Sequence, residues 1–204
     1  METPKEQFCK ILRDTGRENI DYVIEDLEAL GFFTAPASVR NHYNFEGGLL
    51  QHSLNVYRMA MALRSAVLPM RPDLEKALSP GAIAIAALLH DVCKADIYRK
   101  TVKKRRNEIG TWEDVEGYEV DYSGLPVGHG EKSVIMLLRS GLDLDDDEIY
   151  AIRWHMAPWD LPTQSIEMDK SYRTACTKSP LVSLIHAADT LAAQLLERDA
   201  VTKD

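Results

Sequence analysis

The segment from Pro80 to Lys94, PGAIAIAALLHDVCK, limits the fold more than any other stretch. Wound as a helix, Ala82 to Leu89 is apolar on every side. Such a helix has no face to offer water and belongs at the centre of a set of other elements. It is too short to cross a bilayer, which takes ~20 residues. His90 and Asp91 follow it directly. An ionised carboxylate at the end of an apolar helix is costly unless it is paired or coordinates a metal. The chain must therefore fold around a charged point that can bear ligands.

The remaining apolar residues recur at helical spacing almost throughout. Ile20, Val23, Ile24, Leu27 and Leu30 line one helix, which Gly31 stops. The pattern predicts further helices over 49–68, 80–94, 130–138, 145–156 and 179–197. Aspartates occupy the first turn of the fifth, and Ser179 and Pro180 suit the N-cap and first position of the sixth. Residues 97–122 break the pattern with β-favouring residues and a turn candidate at 107–110, which predicts an inserted β-hairpin. Residues 157–178, with Pro158, Trp159, Pro162 and Tyr172, read as a long loop that serves as a lid or selects substrate. The fold class is mostly α, in one domain over 1–204. N-terminal helices and a loop occupy 1–40, and the core spans 41–197.

Charge narrows the partners. Against 24 Lys+Arg stand 32 Asp+Glu, a net −8, which disfavours coating duplex nucleic acid or an anionic membrane. The charge is uneven: residues 94–106 carry +6, and the rest of the chain −14. On a hairpin, alternate residues share a face, so part of this basic stretch could flank the His90–Asp91 point and gather phosphate. It serves equally as a charged edge against strand pairing. Three cysteines without a CxxC pair, and no apolar leader, point to the reducing cytoplasm.

Several other histidines and one aspartate sit beside the predicted core helices. His52 lies one turn into the second helix, His129 begins the fourth, His155 ends the fifth, and Asp189 is midway along the sixth. Imidazole and carboxylate suit Fe, Mn, Zn or Ni. HExxH and cysteine zinc patterns are absent. Asp143, Asp145 and Asp147 imitate a calcium loop but fail at Glu148 and Trp154, so they read as a helix start.

The order His52, His90-Asp91, Asp189, in the contexts NFEGGLLQHS, ALLHDVCK and HAAD, resembles the HD-domain superfamily of metal-dependent phosphohydrolases. His129 and His155 resemble the additional ligands of its two-metal members. Thirty-eight residues separate His52 from His90, and 38 separate Asp91 from His129. The resemblance implies an HD-domain helical bundle. His52, His90, Asp91 and Asp189 would hold one divalent metal, and Asp91 would bridge to a second held by His129 and His155. In members with four ligands only, His129 or His155 would touch substrate instead. It implies hydrolysis of a phosphate ester or phosphoanhydride, of a nucleotide or short oligonucleotide such as RNA, with a metal-activated hydroxide as nucleophile. Asp91 and Lys94 would be catalytic, Lys94 holding the phosphate. His42, Arg99 and Lys103 are further candidates for contact with substrate. Two rival readings remain: a di-iron oxygenase on the same ligands, and a nucleotide-sensing module without catalysis.

Five other positions carry weaker signals. His186, one turn before Asp189, either orients that ligand or is a satisfied buried residue. Glu131 and Lys132 read as helix surface. Trp154 and Trp159 either stack a base or pack the core.

Overall fold

The computed structural model describes residues 2–40, 43–160 and 165–198. The helices are α1 (Pro4–Asp14), α2 (Ile20–Leu30), α3 (Gly48–Val67), α4 (Pro80–Leu89) and the single turn α5 (Lys94–Ile97). A hairpin, β1 (Tyr98–Arg106) and β2 (Trp112–Val120), precedes α6 (His129–Arg139), α7 (Asp146–Trp154), α8 (Ile166–Lys178) and α9 (Pro180–Leu191). A π-helical turn, Ala192–Leu196, extends α9. The architecture is the mostly α bundle with one hairpin that the sequence predicts.

The all-apolar helix is the axis of the core. Ile83, Ile85, Ala86, Ala87, Leu88 and Leu89 of α4 are inaccessible to water, and α1, α3, α7 and α9 pack around them. Ser79 starts α4 by accepting the Ala82 N–H at 3.2 Å, and Pro80 fills the first position. The helix ends at Leu89 rather than running on to residue 94. Tight turns follow, in which the Lys94 N–H reaches back only to the Asp91 carbonyl at 2.9 Å.

Local chemistry explains the other ends. Asp145 and Glu148 form a capping box at α7, so the acidic run is a helix start. The hairpin turns at residues 107–111, where Gly110 takes φ +83° and the Gly110 N–H bonds to the Asn107 carbonyl. Arg99 stands opposite Glu119, Lys104 opposite Asp114, and Arg105 opposite Glu113. The basic strand thus meets acidic neighbours across the ladder, and much of its positive field is offset locally.

Three readings need correction. Residues 157–178 are no continuous loop: they contain α8, which packs against α7 and α9. Met168, Tyr172, Ala175 and Cys176 recur at helical spacing and meet Trp154 and Val182, a pattern that the neighbouring prolines mask. Lys132 is buried, not on the surface, with its ammonium against Asp96. Ser179 stands at the N-cap of α9, but its hydroxyl makes no cap bond.

Candidate metal centre

Five helices deliver one donor cluster. α3 brings His52, the end of α4 brings His90 and Asp91, and α6 brings His129. The end of α7 brings His155, and α9 brings Asp189. Two glycines let these elements approach. A Cβ on Gly48 would lie 2.1 Å from the Tyr43 carbonyl oxygen, so only glycine admits this crossing at the head of α3. A Cβ on Gly130 would lie 2.2 Å from the Arg153 carbonyl oxygen, and this close pass draws His129 toward His155.

Asp91 is the hub. Its Oδ1 is 2.6 Å from His129 Nε2 and 3.4 Å from His155 Nε2. Its Oδ2 is 3.2 Å from His90 Nε2, 3.5 Å from His52 Nε2 and 2.5 Å from Lys94 Nζ. Asp189 Oδ1 is 3.2 Å from His52 Nε2. Three sets of donors each lie within 4.8 Å of one another: His52, His90 and Asp91; His90, His155 and Asp189; and Asp91, His129 and His155.

The imidazoles are oriented from behind. His90 Nδ1 donates to the Ala87 carbonyl at 2.9 Å, and His155 Nδ1 to the Ile152 carbonyl at 2.7 Å. His52 Nδ1 faces the Glu197 carboxylate at 3.0 Å. Each of these bonds engages Nδ1 and turns Nε2 inward, where it can ligate a metal once it carries no proton. Two consequences favour a cation. The Nε2 atoms of His52 and His90 face each other at 3.3 Å, and the buried Nε2 of His155 makes no hydrogen bond. Inward lone pairs beside carboxylates fit a divalent transition metal.

Electrostatics agree. Burial opposes charge on Asp91, but Lys94 and His90 hold its carboxyl well below the usual range. Burial is likewise outweighed at His52, which Asp189, Asp91 and Glu197 hold well above the ordinary imidazole value. The Cys93 sulfur and Asp91 push His129 up to about 10 against its burial. Burial lowers His155. Lys94 is buried, yet Asp91 raises its pKa, so it keeps its charge.

All six proposed ligands and Lys94 meet in this cluster. Arg99 and Lys103 do not. Arg99 pairs with Asp96 and Asp121, and Lys103 donates to the Tyr118 carbonyl. His42 lies outside the described residues. His186 donates to the His155 carbonyl at 2.7 Å and so steadies the end of α7. Trp154 is buried, with the Arg153 guanidinium over its ring, whereas Trp159 is exposed. Two participants escaped the sequence reading, Glu197 behind His52 and Cys93 behind His129, whose sulfur is 3.3 Å from Nδ1. Glu197 lies eight residues after Asp189. The π turn between them takes up an extra residue and returns Glu197 to the same face, an effect that regular helical periodicity does not show.

Residues 49–194 match the family described as HD domain. Over 93 residues the chain is 32% identical to the dihydroneopterin 2′,3′-cyclic phosphate phosphodiesterase of Methanocaldococcus jannaschii. That match covers 46% of this chain and 34% of the relative, so it spans about a third of the archaeal protein. No solved structure matches the chain. No described helix is long and apolar enough to cross a membrane.

Proposed function

The chain belongs to the HD-domain family, and from that premise we propose that it is a metal-dependent phosphohydrolase acting on a phosphate ester or phosphoanhydride. HD domains bind divalent metals, and the His/Asp cluster could hold one. The observation that carries the proposal is the division of labour at Asp91. Its Oδ1 serves His129 and His155, and its Oδ2 serves His52 and His90. A carboxylate with separate partners on its two oxygens suits a bridge between two cations. In this reading His52, His90, Asp91 and Asp189 hold one, and Asp91, His129 and His155 hold the other.

Divalent cations bound there supply Lewis acidity and an activated water. The chain's own residues supply the rest. Lys94, charged and within reach of Asp91, neutralises the phosphate oxygens and fixes their position. Apolar α4 beneath the cluster keeps bulk water out and strengthens these interactions. Asp189 and His129 are the more open members, with side chains 17% and 21% exposed, so substrate enters on their side. The name of the archaeal relative supports a cyclic phosphodiester on a nucleotide-like molecule as substrate. Short oligonucleotides with the same chemistry are a further candidate.

The test is elemental analysis of reconstituted protein alongside hydrolysis of 2′,3′-cyclic nucleotides with Mn²⁺ or Fe²⁺. Transition metal bound at one or two ions per chain, and hydrolysis without O₂ uptake, are expected. Asp91→Ala should abolish both metal binding and turnover; full activity in that variant would overturn the mechanism. O₂ uptake coupled to turnover would favour oxygenase chemistry instead.

A further inference from the structure

Lys94 and Tyr98 stand at the two ends of the single turn α5, where the hairpin leaves the bundle. The Tyr98 N–H closes that turn on the Lys94 carbonyl. Residues four apart in a helical turn are neighbours on one side of it, so the two side chains leave the backbone together. The backbone at this point is held from the other strand as well. Tyr98 faces Val120 across the ladder, and the Asp121 N–H bonds to the Ile97 carbonyl at 2.8 Å. The phenol is therefore anchored beside a residue that reaches the hub of the donor cluster.

The phenol feels that cluster directly. Burial pushes its pKa up; Lys94, the strongest charge acting on it, opposes the rise, and Asp91 adds to it. The relation is mutual, because Tyr98 follows Asp91 among the charges that act on the Lys94 ammonium. A raised value keeps the hydroxyl protonated near neutral pH, where it is a donor. The side chain is half-buried, and among the described residues its hydroxyl has no hydrogen-bond partner. A tyrosine hydroxyl drawn out of water ordinarily finds one, so this donor is available to a ligand.

Lys94 has matching capacity. Its ammonium carries three N–H groups and lies 2.5 Å from Asp91 Oδ2. One N–H serves Asp91, which leaves two. The ammonium supplies charge, and the neutral phenol supplies a further directed donor. A phosphoryl group, with several anionic acceptor oxygens on one centre, matches that pairing.

We propose that Tyr98 contacts the substrate: its hydroxyl donates to a non-bridging oxygen of the phosphoryl group that Lys94 neutralises. The assignment rests on the phosphohydrolase reading for the identity of that group, and the experiment separates the two. Inorganic phosphate is titrated by calorimetry into the Mn²⁺-reconstituted wild-type protein and into Tyr98→Phe, which keeps the ring and removes only the hydroxyl. Metal counts, thermal melts and hydrolysis of a 2′,3′-cyclic nucleotide are measured on both. Phosphate affinity and kcat/KM should each fall about tenfold or more in Tyr98→Phe, the effect of losing a hydrogen bond to a charged acceptor. Metal content and melting temperature should stay unchanged, which a merely structural role would not allow. Loss of metal or of stability alongside the weaker binding would overturn the contact. Equal phosphate affinity and equal turnover in the two proteins would overturn it too and leave the hydrolase standing. Phosphate binding that depends on Tyr98, without hydrolysis of the ester, would overturn the phosphohydrolase reading and support the contact.

Discussion

At the scale of single residues, the centre is decided by which atom of each side chain is already engaged. His90, His155 and His52 each commit Nδ1 to an oxygen acceptor, which leaves Nε2 for the interior. His129 differs, because its Nδ1 faces the Cys93 sulfur at 3.3 Å. Sulfur is a weak acceptor, so this ring is held less firmly than the others. In the proposed two-metal centre, Cys93→Ala should weaken binding of the metal held by His129 by about 10- to 100-fold, the usual cost of removing an outer partner of a ligand. Cys93→Ser, which keeps an acceptor, should restore part of it. Equilibrium dialysis against Mn²⁺ checks both, and unchanged affinity in the alanine variant would show that the sulfur does not support the ring. The histidines and aspartates were legible one by one in the sequence. Glu197 was not, because a carboxylate near a helix end looks like any solvated residue until a neighbour from α3 arrives 145 positions away.

At the scale of elements, close passes between helices set the distances in the cluster. Gly130 lets α6 lie against the backbone of α7 at Arg153. Gly130→Ala forces the two helices apart, because a carbonyl oxygen at 2.2 Å cannot yield as a side-chain tip could. The expected outcome is a loss of about 1–3 kcal/mol in stability, the range for overpacking. In the proposed two-metal centre, lower occupancy of the metal shared by His129 and His155 should accompany it. Thermal melts with and without Mn²⁺, together with metal counts, check this. The long-loop reading of residues 157–178 failed at this same scale. α8 buries only Ala175 as core, so its periodicity is shallow and the prolines that precede it, at 158 and 162, dominate the pattern. The hairpin was legible because alternation of β-favouring residues and the turn at residues 107–110 agree.

For the whole molecule, stability rests on the apolar helix at its centre. Leu88→Ala should cost about 2–5 kcal/mol, since the packed surroundings cannot close the cavity fully; urea unfolding measures it. A second global link is Arg17, between α1 and α2, which pairs with Glu148 of α7 and also bonds to the Asp143 carbonyl at 2.8 Å. Burial, joined by the nearby Asp145 and Asp143 and opposed by the cap bond and Arg17, pushes Glu148 from 4.5 up to about 7. A raised carboxyl value means that the folded protein holds the proton more tightly than the unfolded chain. This contribution is full below about pH 4.5 and is lost as pH rises through about 7. The stability of wild type relative to Glu148→Gln should therefore fall over that interval. Urea midpoints at matched pH read the difference, and a constant difference would refute it. The sequence by itself determined the helical class and the central segment, because burial periodicity is a local property, and its motifs resemble those of the HD-domain superfamily closely enough to nominate six candidate donors. Only the tertiary structure decided that Asp91 divides its oxygens between two sets of histidines, that Glu197 and Cys93 stand behind the rings, and that the basic strand meets acids across the hairpin. Those depend on contacts between residues far apart in the chain, which packing distances fix and local pattern does not.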